Sequence, residues 1–500
     1  MKRIAAFILA ALILSSCATE TIPAETKNDG QNQLPEETAG SSETSGAEES
    51  DEEYKTYQYA YRPDLPDVGY DGGEFRVLYD DAENTYEITD VFSEELTGEI
   101  MNDAAFNRNI KVEDTYDFRF VQIPDNNPIP AMQASVTAGS NDYDLVNGRM
   151  MTMMQVSLEN YLYNWYDLNY FNPEDPWWDT NCAKDMSYAN HLFAMSGDIS
   201  MTPTDCARFV VYSKGVQEQY HIENLYDLVR SNKWTIDKMT ELVGQVSTDK
   251  DGNGVYSAED VTGLLTEFFE YYVVGGGVIF TEKDENDIPT VTPITERTYD
   301  VIQKVKALLN VPNCTVSYAE AWTDKDTSGY AHKWDFVRGE YFVPNHFLFT
   351  QACTLDARLF YDMEPGYGVL PNPKFDEHQE DYYHMMDEYA CIWGIPSNIQ
   401  KVDMIDVILN AWAANSAELV DAYYERTLKY KRFDAPDDSE MFDIIRGSIK
   451  YELSMMLDLG IVSVIRTAYD QGSSVTSMYA RSQRMIEKKI QNMFEDFIGD

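Results

Sequence analysis

The run Asp249-Lys250-Asp251-Gly252-Asn253-Gly254-Val255-Tyr256-Ser257-Ala258-Glu259-Asp260 holds the most specific chemistry in the chain. Oxygen-bearing side chains (Asp249, Asp251, Asn253) fall at positions one, three and five, and Gly254 takes the sharp turn at six. Val255 offers its carbonyl at seven, Ser257 stands at nine, and Asp260 closes the loop at twelve. Hard divalent cations take oxygen ligands in this rhythm, so the stretch reads as a Ca2+ loop. The shorter Asp at twelve, in place of a bidentate Glu, implies looser coordination and a structural staple. The competing reading is an acidic Asp-Gly-Asn-Gly turn that holds no metal. Patterns for catalysis are missing: there is no G-x-S-x-G, H-E-x-x-H, P-loop or G-x-G-x-x-G. Of the histidines, His378 and His384 stand six apart and do not share a helical face. Met150, Met151, Met153 and Met154 read as adaptable packing, not as a metal box.

The elements that must position such groups alternate. Phe75–Tyr79 reads as a strand, Gly98 to about Glu113 as a helix with Ile100, Ala104 and Ala105 on one face and Arg108 and Lys111 on others. A strand over Tyr116–Ile123, a helix around Ala131–Ala138 and a short strand Tyr143–Val146 follow. The alternation resumes with a strand Cys206–Tyr212, helices Asn224–Arg230 and Thr235–Gln245, and a strand Gly368–Leu370. Ala258–Tyr272, after the acidic loop, reads as a helix, and Val402–Phe497 is helical almost throughout. Strands and helices alternating at this spacing imply α/β lobes with parallel sheets covered on both faces. The chain is too long for one core, so two lobes are expected.

The N-terminus precedes any of this. Lys2 and Arg3 lead an apolar run, Ile4 to Leu14, that spans only about 16 Å as a helix, short of a roughly 30 Å hydrocarbon core. It reads as a secretory signal over residues 1–16. From 17 to 53 the chain is acidic and polar, and such composition stays disordered. Formal net charge is −48, from 86 acidic and 38 basic residues. That balance excludes nucleic acid as a partner and disfavours a strongly anionic ligand. Cys182, Cys206, Cys314, Cys353 and Cys391 lack zinc-ligand spacing, and their odd number does not suggest a disulfide framework.

Leu14-Ser15-Ser16-Cys17 resembles a bacterial lipobox, which implies lipid on the sulfur of Cys17 and anchoring outside the cytoplasm. Thr97-Gly98-Glu99-Ile100-Met101-Asn102-Asp103-Ala104-Ala105-Phe106-Asn107-Arg108-Asn109 resembles the first helix of extracellular solute-binding proteins of bacterial ABC importers, the sugar-binding lipoprotein type. Ala138–Leu145, Pro176–Asp179, Glu223–Val229, Lys233–Thr235 and Tyr367–Lys374 fit the same family in order and spacing. Tyr212-Ser213-Lys214 departs from it, since the family usually has Asn before the Lys. The resemblance implies a two-lobed periplasmic-binding-protein fold of the class II, maltose-binding type, hinged, with a helical C-terminal region. It places residues 54–188 with 391–430 in the first lobe and 189–390 with 431–500 in the second. It implies a monomer that binds carbohydrate and meets permease subunits; a surface glycan-binding scaffold is the alternative. The acidic loop is EF-hand-like, and its Asp260 end resembles the loops of dockerin modules.

In open α/β sheets, ligands sit beyond the carboxyl ends of strands. That nominates the loops 79–84, 147–152, 198–203 and 344–349. A sugar offers a weakly apolar ring face edged with hydroxyls, matched by flat aromatic rings and by charged hydrogen-bonding groups. The polar candidates are Asp80, Asn147, Arg149 and Asp198; the aromatic ones are Trp322, Trp334 and Phe349. Trp177 and Trp178 are expected to pack, and Trp234, Trp393 and Trp412 to be core.

Overall fold

The computed structural model describes residues 58–80, 91–201, 206–266, 268–360, 363–429 and 435–495. The expected signal over residues 1–16, Cys17 and the expected acidic linker to residue 53 lie outside the described residues. Gly73–Asp80 forms the first strand because Phe75, Val77 and Leu78 are wholly buried and sit well on a pleated surface. It pairs in parallel with Phe118–Asp125 along its full length, Gly73 opposite Phe118 through Asp80 opposite Asp125. The helix Ile100–Tyr116 joins them. The Glu99 carboxylate caps its start by accepting from the Asn102 amide at 2.8 Å, and Asp117 ends it in the left-handed region at φ 47°. Arg108 corrects the expected polar face. It is buried, donating to the carbonyls of Ile199 (2.8 Å) and Val91 (2.9 Å) and to Ser416 Oγ (3.1 Å), with Trp412 under its guanidinium. An arginine among carbonyls is a satisfied core residue.

Leu145–Arg149 adds a third parallel strand against Gly73–Asp80. The sheets then depart from the parallel expectation. Cys391–Gly394 runs antiparallel to Leu145–Arg149, and Ala194–Met195 antiparallel to Cys391–Gly394, closing a five-stranded sheet. The second sheet repeats the plan: Thr315–Ser317, Val261–Thr266 and Phe347–Ala352 are parallel, Phe209–Ser213 is antiparallel to the last, and Tyr367–Leu370 is antiparallel to Phe209–Ser213. In each sheet the reversed strand next to the parallel three is the one the chain reaches directly after crossing from the other lobe. A segment that enters from the opposite side must run the opposite way.

Ala194–Met195 belongs to the first sheet, so the first crossing comes after Met195 and not at residue 189. Gly197 is needed there, since a Cβ would stand 2.4 Å from Trp178. The second crossing runs from Pro371 to Ala390. Within it His384 is wholly buried: its Nε2 accepts from the Asn372 amide at 2.9 Å, and its Nδ1 lies 2.8 Å from Ser448 Oγ. Burial pushes its pKa down to about 3, so it is a neutral clamp between the crossing and the C-terminal helices.

The C-terminal region is helical as expected, apart from the short strand Ile449–Lys450 paired with His384–Met385. Helix Ala417–Lys429 packs on Ile100–Tyr116, and Ala435–Gly447 packs on Tyr367–Leu370 with Phe442 edge-on to Phe209. The last helix, Val475–Met493, leads to Phe494, which meets Tyr188 at 5.2 Å, so the C-terminal helices touch parts of both expected lobes. Trp177, Trp234, Trp393 and Trp412 are fully buried and Trp178 nearly so. Met150, Met153 and Met154 are core on the helix Met150–Ser157.

Candidate functional site

The carboxyl ends of the parallel strands are Asp80, Asp125 and Arg149 in the first sheet and Thr266, Ser317 and Ala352 in the second. Asp80 and Arg149 come together there, Nε to Oδ2 3.8 Å, with Asp80 buried and Arg149 half-exposed. The Arg149 guanidinium lies 5.7 Å from the Tyr389 ring, whose side chain is exposed. Tyr389 belongs to the second crossing, which is stitched to the same strand end: Met150 N donates to Ala390 O (2.7 Å) and Met151 N to Glu388 O (3.2 Å).

A buried charge network continues from that crossing into the second lobe. Arg208 donates to Asp387 (Nη2 to Oδ2 2.8 Å) and reaches Asp356 at 3.4 Å, while Arg338 holds the other Asp356 oxygen at 2.9 Å. Burial would raise the Asp356 pKa, but Arg338 and then Arg208 outweigh it and hold the carboxyl below its usual range. Asp356 also accepts from the Cys353 amide at 2.9 Å, just past the strand Phe347–Ala352. Arg338 sits 5.4 Å from the Tyr318 ring at the end of Thr315–Ser317. Glu270, shortly after Val261–Thr266, pairs with Arg466.

Glu388 is half-buried between these groups. Burial first, and the neighbouring Asp387 charge next, push its pKa up to about 7, while Arg466 and Arg208 pull the other way and Glu270 adds to the rise. Its backbone joins the first lobe and its carboxyl feels charges at the second. The chain therefore keeps a titrating acceptor on the second crossing, between the end of Leu145–Arg149 and the Arg208–Asp387 pair.

Of the sequence candidates, Asp80 and Arg149 meet as described. Asn147, two residues earlier on the same face of the strand, is buried with its Oδ1 lacking a hydrogen bond. Strand Leu145–Arg149 passes directly into a helix, so the expected loop at 147–152 does not exist. Trp322 and Trp334 are brought together, ring centroids 5.4 Å apart and nearly perpendicular, both half-exposed, with Lys333 Nζ 3.9 Å from the Trp322 ring. They follow Tyr318 on the carboxyl edge of the second sheet. Asp198 is a correction: its carboxylate accepts from Arg446 (2.6 Å) and Tyr59 (3.1 Å), tying the first crossing to a C-terminal helix and the N-terminal strap. Phe349 is another. The expected loop 344–349 runs into a strand, Phe349 is fully buried against Trp234, and the edge lies at Cys353–Asp356. Sequence reasoning missed Arg208, Arg338, Asp356, Asp387, Glu388 and Tyr389. The polar run Asp387-Glu388-Tyr389 ahead of an apolar strand was the available signal.

The acidic loop has the expected turn chemistry. Asp249 accepts from the amides of Gly252 (2.7 Å) and Gly254 (2.8 Å), Asp251 from Asn253 (3.0 Å), and Asp260 from Lys250 and Ser257 (2.9 Å each). Gly252 and Gly254 have φ of 72° and 77°, which only glycine takes without strain. The Gly254 amide, then Gly252, hold the Asp249 carboxyl below its usual range despite some burial. Carboxylate oxygens of Asp249, Asp251 and Asp260 lie within 4.8 Å of one another. The helix expected before the loop is present as Ile236–Val243, and the flank after it is corrected. Val261–Thr266 is a strand and not a helix, paired with Ser247–Thr248, so the loop closes a β-ladder instead of joining two helices. Leu264 and Leu265 are fully buried there, and sheet packing overrides their helical tendency.

No family model and no curated protein matches the sequence. Solved structures do match the fold. The ABC substrate-binding protein Lmo0181 from Listeria monocytogenes, in complex with cycloalternan, aligns at 12% identity and TM-score 0.52 over 84% of this chain and 99% of its own. A cyclo/maltodextrin-binding protein complexed with maltotetraose aligns at 11% identity and TM-score 0.54, over 84% and 98%. The galacto-N-biose-/lacto-N-biose I-binding protein of the ABC transporter from Bifidobacterium longum, in complex with lacto-N-biose, aligns at 11% and TM-score 0.53, over 85% and 98%. With two sheets built on one plan, joined by crossings and matched by these structures over nearly their whole length, the chain has the two-lobed α/β fold of ABC sugar-binding proteins of the maltodextrin-binding type.

Proposed function

We propose that this chain is an extracytoplasmic receptor that captures a carbohydrate, an oligosaccharide, between its lobes and delivers it to the permease of an ABC transporter. Lipid on Cys17 would hold it to the cell membrane, and no described helix is long and apolar enough to cross one. The observation that carries the reading is what stands beyond the strand ends of the two sheets: the ion pair Asp80–Arg149 with the exposed Tyr389 ring at the first, and the half-exposed rings of Trp322 and Trp334 after Thr315–Ser317 of the second. Rings match sugar faces, and charged groups pair with hydroxyls. All three neighbours hold saccharides by name, which supports the ligand class.

Calorimetry against maltotetraose, lacto-N-biose and cycloalternan tests it. Binding of at least one such sugar, weakened about tenfold or more by Trp322→Ala, is the expected result. Heat from none of a broad oligosaccharide panel overturns the carbohydrate reading. The anchor has its own test: radiolabelled palmitate should enter the wild-type protein and not Cys17→Ser.

The loop Asp249–Asp260 is proposed to hold structural Ca2+ through Asp249, Asp251, Asn253, Ser257, Asp260 and the Val255 carbonyl. Three carboxylates close together, with the proton affinity of Asp249 depressed by the loop's own amides, favour a cation over protons, and this supports the reading.

A further inference from the structure

The last helix, Val475–Met493, carries four basic residues and one acidic residue, in a chain with 86 acidic and 38 basic residues. Its inward face is Val475, Tyr479, Ile486 and Ile490, all buried. At 3.6 residues per turn, Arg481, Arg484, Met485 and Lys488 share an arc of about 100°, centred about 160° from that inward face. The three cations are exposed, and Met485 is 68% exposed. Glu487 falls outside the arc. Lys489 pairs with Asp458, whereas Arg481, Arg484 and Lys488 enter no ion pair with a described residue. Within the helix the stripe is thus an acid-free basic strip with an exposed apolar residue at its edge, pointed away from the core.

We propose that this strip docks the protein on an anionic bilayer surface, with the basic side chains on lipid headgroups and Met485 against the headgroup–acyl boundary. The setting rests on the tethered-receptor reading. A chain with net charge −48 is repelled by such a surface at long range. Within a Debye length of about 8 Å, however, the nearest charges dominate, and the strip presents only positive ones. Each basic side chain near an anionic surface strengthens binding severalfold. Docking through this helix would fix which side of the receptor faces the membrane.

The test uses the full chain carrying Cys17→Ser, so that no lipid on the protein contributes. It is sedimented with vesicles of phosphatidylcholine alone or mixed with phosphatidylglycerol, at low and high salt. Binding is expected only to the mixed vesicles, lost at high salt and weakened on the order of a hundredfold by R481E/R484E/K488E. The neutral R481Q/R484Q/K488Q should fall between. Unchanged melting temperatures would show that both variants fold. Equal binding to both vesicles, binding to neither, or indifference to charge reversal overturns the proposal; binding to neither would turn attention to an acidic protein partner. Palmitate labelling at Cys17 is scored separately, so failure here leaves the anchor untouched.

Discussion

Replacing Glu388 by Gln removes a charged acceptor from the second crossing. Charged hydrogen bonds contribute about 1.5–3 kcal/mol, so sugar affinity should fall about tenfold to a hundredfold above neutrality. The carboxylate form dominates above a pKa of about 7, so wild-type affinity should be steady above that pH and decline below it. Glu388→Gln should flatten the profile between pH 6 and 8. A variant as pH-dependent as the wild type, measured by calorimetry, removes Glu388 from the site. At this scale the sequence was only partly readable. Asp80 and Arg149 stand at strand ends, as expected, because strand ends follow from alternation, and Trp322 and Trp334 are half-exposed because they stand in a polar stretch. Phe349 and Asp198 failed for different physical reasons. Strand limits shift by a few residues and carry side chains into the core, as with Phe349. An exposed-looking acid can find a distant arginine, as Asp198 found Arg446. Long-range ion pairs leave no mark in local spacing.

At the scale of elements, two joints should answer to solution conditions. His384 stays neutral in the fold with a pKa of about 3, against about 6.5 unfolded, so unfolded chains bind more protons between those values. Its stability contribution is complete above pH 6.5 and is lost on acidification, at up to about 1.4 kcal/mol per pH unit. Urea unfolding at pH 7 and 5 should show the wild type losing more stability than His384→Gln. Equal losses would show that the clamp between Asn372 and Ser448 does not carry the acid sensitivity. The acidic loop should respond to Ca2+: at a tenfold excess over the dissociation constant, binding adds about 1.4 kcal/mol. Chelation should therefore lower the melting temperature, and Asp249→Asn should abolish the difference. A melting temperature indifferent to Ca2+ leaves an Asx-stabilised turn. The loop itself was legible, because its turn residues act locally. The flank after it was not, because Val261–Thr266 becomes a strand only through its partners on either side.

At the scale of the molecule, the two lobes are expected to close on a bound ligand. Small-angle scattering with a bound oligosaccharide should give a smaller radius of gyration than without it; an unchanged radius would argue against hinged capture. Two α/β lobes were visible in the alternation of strands and helices and in the length of the chain. The mixed sheets were not, because Cys391–Gly394 joins a sheet whose other strands lie far earlier in the chain, and no local pattern records that pairing. This late strand has a temporal consequence. It occupies an interior place in the amino-terminal sheet, between Leu145–Arg149 and Ala194–Met195, yet begins at position 391 of 500. During synthesis the early strands therefore wait, incomplete, until most of the polypeptide has been made. No truncation between the first crossing and that strand can therefore yield a finished amino-terminal half.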